Sequence, residues 1–189
     1  AQIGHGGSGF TLGTVTGNIS IGTAGVPLAL TMKGGTQNTT FALIGHGGER
    51  MASTGPVNGN ITFPGPTSVD MDGGSQTNAF AQIGHGGYSF NYNQVIGDII
   101  FNQAATLDLR GGSVTGTYAQ VGHGGYVSVG DRGATQQLSG NIRILGASTV
   151  TLNGGSGSSA YAQIGFGGYG TETLDNGVYT GDIVMPGLT

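Results

Sequence analysis

Four histidines, His5, His46, His85 and His123, each stand between glycines in a segment that recurs along the chain: AQIGHGG at 1–7, ALIGHGG at 42–48, AQIGHGG at 81–87, AQVGHGG at 119–125 and AQIGFGG at 162–168. Imidazole is a common ligand for zinc, copper and nickel, and it titrates near neutral pH. If the copies stack, rings one or two rungs apart stand roughly 5 or 10 Å from each other, and those on adjacent rungs can share an ion. The fifth copy is Phe166, which neither binds a metal nor moves a proton. A planar ring is what the position keeps, so ring stacking or edge packing explains the column better than a metal site or a pH sensor. The expectation is no metal and no cofactor.

Three further positions repeat. Asn18, Asn60, Asp98, Asn141 and Asp182 follow a glycine in a GNI-type strand. Two carboxylates in separate copies are too few for calcium, so a stacked amide ladder is expected there. The N-x-S/T matches at Asn18 and Asn60 fall out of the strand pattern and, with Asn38, are weak glycosylation signals. Gln2, Gln82, Gln120 and Gln163 share one position, held by Leu43 in the second copy, and from the second copy on the aromatics Phe41, Phe80, Tyr118 and Tyr161 stand two residues before it. By parity this stripe faces away from the Ala/Ile side. It suits packing under a loop, contact between rods, or a glycan. Phe80, Gln82, Tyr118, Gln120, Tyr161 and Gln163, with Tyr126 from the longest inter-motif stretch (126–139), are therefore the ligand or self-contact candidates. Lys33, Asp72, Arg110 and Asn153 form a column of alternating sign that suits cross-rung pairing.

Catalysis needs a convergent acid/base set that departs from the repeat. Asp70 and Asp72 lie two residues apart, but their equivalents, such as Asp108/Arg110 and Thr151/Asn153, read as solvated surface. Asp131–Arg132 and Glu49–Arg50 are the unique charged pairs, and neither makes such a set. No enzyme is expected.

The elements that carry these positions are short strands. Each repeat holds the AQIGHGG segment, a strand such as GNISI (17–21) or GDIIF (97–101), and a strand ending in two glycines such as LDLRGG (107–112). All alternate with period two, and no window reads as an amphipathic helix. Ile61/Phe63 and Ile99/Phe101 share one face; Val69/Met71 and Leu107/Leu109 share another. The glycines before the histidine position, Gly4, Gly45, Gly84, Gly122 and Gly165, lie 41, 39, 38 and 43 residues apart. The fold class expected is all-β, a parallel β-solenoid of about 40-residue repeats forming one array over 1–189, with repeats starting near 1, 42, 81, 119 and 162. The short span 17–35 favours two coils per repeat and roughly nine rungs. A β-propeller with about 40-residue blades is the rival. The absence of visible capping repeats suggests a slice of a longer solenoid.

Composition narrows the function. Only 7% of residues are charged, the net charge is −4, and Gly accounts for 42 of 189 residues. Scattered Lys and Arg cannot neutralise a nucleic-acid backbone, and no apolar run is long enough to span a membrane. There is no Cys, hence no disulfide framework or thiolate site. Cys-free, low-charge repeats suit a chain exported unfolded.

Runs such as GNIRILGASTVTLNGGSGSSAYAQIGFGG (140–168) resemble the repeat regions of filamentous-haemagglutinin-like exoproteins, bacterial adhesins of the two-partner and autotransporter secretion types. The resemblance covers essentially the whole chain and rests on repeat style. It implies a right-handed β-helix, display outside the cell or at its surface, and fibre building or adhesion. It implies no catalytic residues. The expected role is a structural rod of an extracellular filament that contacts copies of itself; the alternative is an adhesin that binds a host surface or glycan through loops and the aromatic/Gln stripe.

Overall fold

Short runs of β-branched and aromatic residues alternating with small polar ones, broken by glycine, form strands, with no helix among the described residues. The computed structural model describes residues 1–127, 129–130, 137–170 and 178–189. Asp131 and Arg132, with the middle of the 126–139 stretch, lie outside them.

The strands form a parallel β-solenoid. Sheet A contains Gln2–Ile3, Phe41–Ile44, Phe80–Ile83, Tyr118–Val121 and Tyr161–Ile164. The chain then passes the glycines, where Gly6–Ser8 pairs with Gly47–Glu49 and bridges continue through Gly86 to Gly124. It runs through sheet C (Thr11–Leu12, Ala52–Ser53, Asn91–Tyr92, Val129–Gly130) and sheet D (Val15–Thr16, Val57–Asn58, Gln94–Ile96, Gln137–Ser139, Val178–Thr180). Sheet E follows (Ile19–Ser20, Ile61–Phe63, Ile99–Phe101, Ile142–Ile144, Ile183–Val184), then sheet F (Leu28–Lys33, Thr67–Asp72, Ala105–Arg110, Ser148–Asn153). A turn at the double glycine leads back to sheet A, one rung further on.

Among the described residues the strands pair in parallel and join equivalent residues of neighbouring copies, as in Ile61↔Ile99, Val69↔Leu107 and Ile83↔Val121. A propeller is excluded, because its blades would pair strands within a repeat. The expectation of two coils per repeat is also overturned. Partners stand 38 to 43 residues apart, as in Val57↔Val95 and Ala105↔Ser148, so one repeat is one coil. Sheets E and F are two sides of that coil. The return runs through sheet A, the glycine segment and sheets C and D. Five rungs, separated by four spacings of about 4.8 Å, make a stack roughly 20 Å tall.

Two apolar cores fill the coil. The larger lies between sheets A, E and F and contains Ile83, Val121, Ile61, Phe63, Phe101, Met71 and Leu109. The smaller lies inside sheets C and D and contains Met51, Val57, Phe90, Tyr92, Val95 and Leu138. The apolar faces expected for the GNI-type and double-glycine strands both point into the larger core.

Two repeat positions carry left-handed backbone. Thr39, Asn78 and Ser159 share one, with φ of 59°, 59° and 57°. Arg50, Ser89 and Val127 share the other, with φ of 49°, 51° and 51°. Glycine and asparagine tolerate this region, whereas a β-branched side chain costs about 1–2 kcal/mol there. Val127→Asn is therefore expected to raise the melting temperature by about 2–4 °C for a chain of this size, measured by circular dichroism; an unchanged or lower value would contradict the strain.

Candidate functional site

The histidine column is built from the backbone outward. Gly84, immediately before His85, has φ of 147°, and a Cβ on it would lie 2.0 Å from the Gly122 carbonyl oxygen. Only glycine lets the coils approach this closely at the corner leaving sheet A. That corner aims each ring across the neck between the two cores. Phe166, at the same position in coil 5, packs against both cores.

The rings stack. Centroids of His5 and His46 are 5.0 Å apart, those of His46 and His85 4.8 Å, and those of His85 and His123 4.9 Å. Phe166 continues the stack 5.3 Å from His123, with planes 8° apart. The stacking expected from the Phe substitution is present.

Each interior ring also links backbone to backbone. The amide N–H of His5 donates to Nδ1 of His46 at 3.1 Å, that of His46 to Nδ1 of His85 at 2.9 Å, and that of His85 to Nδ1 of His123 at 2.9 Å. On the far side, Nε2 lies 2.9 Å from the Gly17 carbonyl oxygen in His46, 2.7 Å from that of Gly59 in His85, and 2.7 Å from that of Gly97 in His123. Because Nδ1 accepts, Nε2 carries the proton and donates. The ring is thus a strut: one nitrogen holds the preceding coil at the sheet A corner, and the other holds the glycine that opens a sheet E strand. A Cβ on Gly59 would stand 1.9 Å from the Gly17 oxygen and 3.4 Å from His46 Nε2, so the acceptor side also needs glycine.

His46, His85 and His123 are buried, while His5 is exposed at the end of the stack. Burial pushes all three below the ordinary imidazole value: His46 lowered, His85 lowered well below it, and His123 down to about 4. Bonds to the glycine carbonyls oppose this, as does Asp98 for His123. The metal reading fails on geometry. The lone pairs of a stacked ring lie in its own plane and cannot converge on an ion between rings, and in the buried rings both nitrogens are already engaged.

The Asn/Asp column differs from the expected amide ladder. The recurring partner is main chain: Asp98 N–H donates to Asn60 Oδ1 at 2.9 Å, and Asn141 N–H to Asp98 Oδ1 at 2.7 Å, where Asn141 Nδ2 also donates at 3.1 Å. Asn60 N–H and Asp182 N–H likewise donate to Asn18 and Asn141. Only an acceptor oxygen is needed, which is why Asn and Asp interchange.

The aromatic/Gln stripe packs under a loop, the first of the three roles it suits, and in the interior coils it offers no surface to a second rod or a glycan. Phe80, Gln82, Tyr118 and Gln120 are fully buried. The segment after each histidine folds over the outer side of sheet A: a Cβ on Gly87 would stand 3.2 Å from Phe80. Gln82 Nε2 donates to the carbonyls of Gly122 and Gly124 in the next coil, and Gln120 Nε2 to those of Gly165 and Gly167. Tyr118 OH donates to Gln82 Oε1 at 3.3 Å. Burial raises the Tyr118 and Tyr161 hydroxyls well above their usual value. Tyr161 and Gln163 repeat the arrangement, half-buried, in the last coil. Of the candidates, Tyr126 remains partly at the surface, stacked between Tyr88 at 5.7 Å and Tyr169 at 5.2 Å. Leu43 was the available signal: a position that accepts leucine, here 2% exposed, belongs inside.

The charged column pairs diagonally rather than along the stack. Arg110 binds Asp70 in the neighbouring coil and Asp108 in its own strand, and Asp72 Oδ1 accepts the Gly74 N–H. Glu49 accepts from Ser8 and pairs with Arg50.

Compared with known protein families, with curated proteins and with solved structures, the chain matches none. No helix among the described residues is long and apolar enough to cross a membrane.

Micromolar zinc or nickel added to the folded protein near pH 7.5 is expected to leave the melting temperature unchanged within about 1 °C. A rise of several degrees, or tight binding by calorimetry, would contradict the assignment of both ring nitrogens to backbone partners.

Proposed function

We propose that this chain is a non-enzymatic structural segment of an extracellular bacterial filament that associates with copies of itself. The observation that carries the reading is the continuity of the links between coils. Among the described residues, equivalent positions pair across all four joints in sheets A, D and E and across the first three in sheets C and F, and the rings, glutamines and Asn/Asp side chains add links from coil to coil. An array on this plan lengthens by repeating one interface, and its stiffness comes from nearest-neighbour contacts alone. Few charges and no cysteine fit the same role, as does the likeness of 140–168 to secreted adhesin repeats.

Adhesion through an exposed surface is the second reading. It rests on the outer tyrosine ladder Tyr88, Tyr126 and Tyr169, whose last member is 54% exposed. Burial of Phe80, Gln82, Tyr118 and Gln120 removes the stripe that it first drew on.

Sedimentation and negative-stain electron microscopy over a concentration series distinguish the two. The filament reading expects concentration-dependent association into narrow particles one coil wide. A single monomeric species at every concentration, with saturable binding to immobilised glycans lost in Tyr126→Ala, would favour adhesion instead.

A further inference from the structure

The imidazole struts occupy three of the four joints between coils. His46 spans the joint between coils 1 and 2, His85 that between coils 2 and 3, and His123 that between coils 3 and 4. At the fourth joint the ring is Phe166, which offers no nitrogen to the His123 amide and none to the Gly140 carbonyl. Sheets A, D and E continue across the fourth joint, while sheet F meets coil 5 through the single Ser148↔Leu188 bridge. Tyr161–Ile164 pairs with Tyr118–Val121, Ile183–Val184 pairs with Ile142–Ile144, and Gln120 reaches across to Gly165 and Gly167.

We propose that the imidazole column is an acid-operated latch that loosens the three joints between coils 1 and 4, and that Phe166 exempts the joint between coils 4 and 5.

The chemistry lies in Nδ1. A proton there turns an acceptor into a donor, directly opposite the backbone N–H that it had been accepting. The link becomes a repulsion, inside a neck lined by apolar side chains that cannot solvate the new charge. The groups acting on the rings are few. His5 and His123 bear on His46 and His85 respectively, and His46 also bears on His85; all disfavour a second positive charge nearby. From the sheet E side Asp98 acts on His123 in the opposite sense, and Asn18 and Asn60 there carry no charge. The flanking core residues, such as Ile83 and Val95, are apolar.

The sign follows from linkage. The buried rings bind protons less readily when folded than when opened, where the value is near 6.5. Opening therefore takes up protons as the pH falls below about 6.5. The stabilising contribution is full above that point and is lost progressively toward the folded value, which for His123 is about 4. Each ring released multiplies the opening constant by up to about tenfold per pH unit in this window. Solenoid coils open sub-globally, so the joints can respond separately.

Native-state hydrogen exchange on the purified chain reads each joint through one amide. Ile19 N–H donates to Asn60 O across the first joint, Ile61 to Asp98 O across the second, Ile99 to Asn141 O across the third, and Ile142 to Asp182 O across the fourth. After correction for intrinsic exchange, the opening constants of Ile19, Ile61 and Ile99 are expected to rise about two- to fivefold from pH 6.5 to 5.5, with Ile142 changing less than about 1.5-fold. The second arm installs the latch. Phe166→His places Nδ1 within reach of the His123 amide and Nε2 within reach of Gly140 O. It should slow Ile142 exchange at pH 7.5 and give it the pH dependence of the other three. Equal slopes at all four amides in the unaltered chain, or none at any, would overturn the proposal. So would a folded Phe166→His protein whose Ile142 exchange stays independent of pH.

Discussion

Every residue in the stack meets, about 4.8 Å above and below, whatever stands at its own place in the neighbouring coils. That single condition selects the composition. A charge meets its own kind unless the sign changes from coil to coil, so charges are few, and Arg110 sits where it can take Asp70 and Asp108 together. Flat rings tolerate themselves well: Phe41, Phe80, Tyr118 and Tyr161 form an unbroken ladder with centroids 4.8 to 5.0 Å apart. Side chains with an acceptor can serve the backbone of the next coil, as Asn60 and Asp98 do. Where backbone presses on backbone, only glycine remains.

The two-core cross-section sets a second requirement. A coil of about 40 residues is too wide to be closed by one apolar filling, and its waist exposes main-chain groups from both walls. Histidine answers this with one ring that accepts on one edge and donates on the other. Phenylalanine at 166 shows the part of the role that survives without the nitrogens: it fills the neck and extends the stack, touching both cores. Placing a titratable group there makes cohesion between coils depend on that group staying neutral.

Much of the fold could be read from the chain because the condition is visible in it. The recurrence of AQIGHGG and the period-two strands identified sheets A, E and F, their parallel stacking and the residues of the larger core. The size of the coil was misjudged because sheets C and D are made of strands of two or three residues, such as Asn91–Tyr92, too short to show alternation. Without them the span 17–35 looked closed. Parity placed Gln82 and Tyr118 on the side of sheet A away from Ile83, and rightly so. What it could not supply was the glycine segment folded over that side, since nothing in a period-two pattern says where a glycine-rich stretch will lie. The Asn/Asp column was read as side chain to side chain because sequence shows side chains alone; its partner is a main-chain amide. The histidine struts were likewise hidden, as their partners, Gly17, Gly59 and Gly97, lie 26 to 29 residues away in the preceding coil.

The account stands on one coil per repeat, with like residues superposed. Backbone nuclear Overhauser effects in the isotope-labelled protein test this most directly. The account predicts that Leu107 shows cross-strand contacts to Val69 on one side and Val150 on the other, and Ile99 to Ile61 and Ile142. Cross-strand contacts between segments about 20 residues apart, or antiparallel contacts within one repeat, would contradict it.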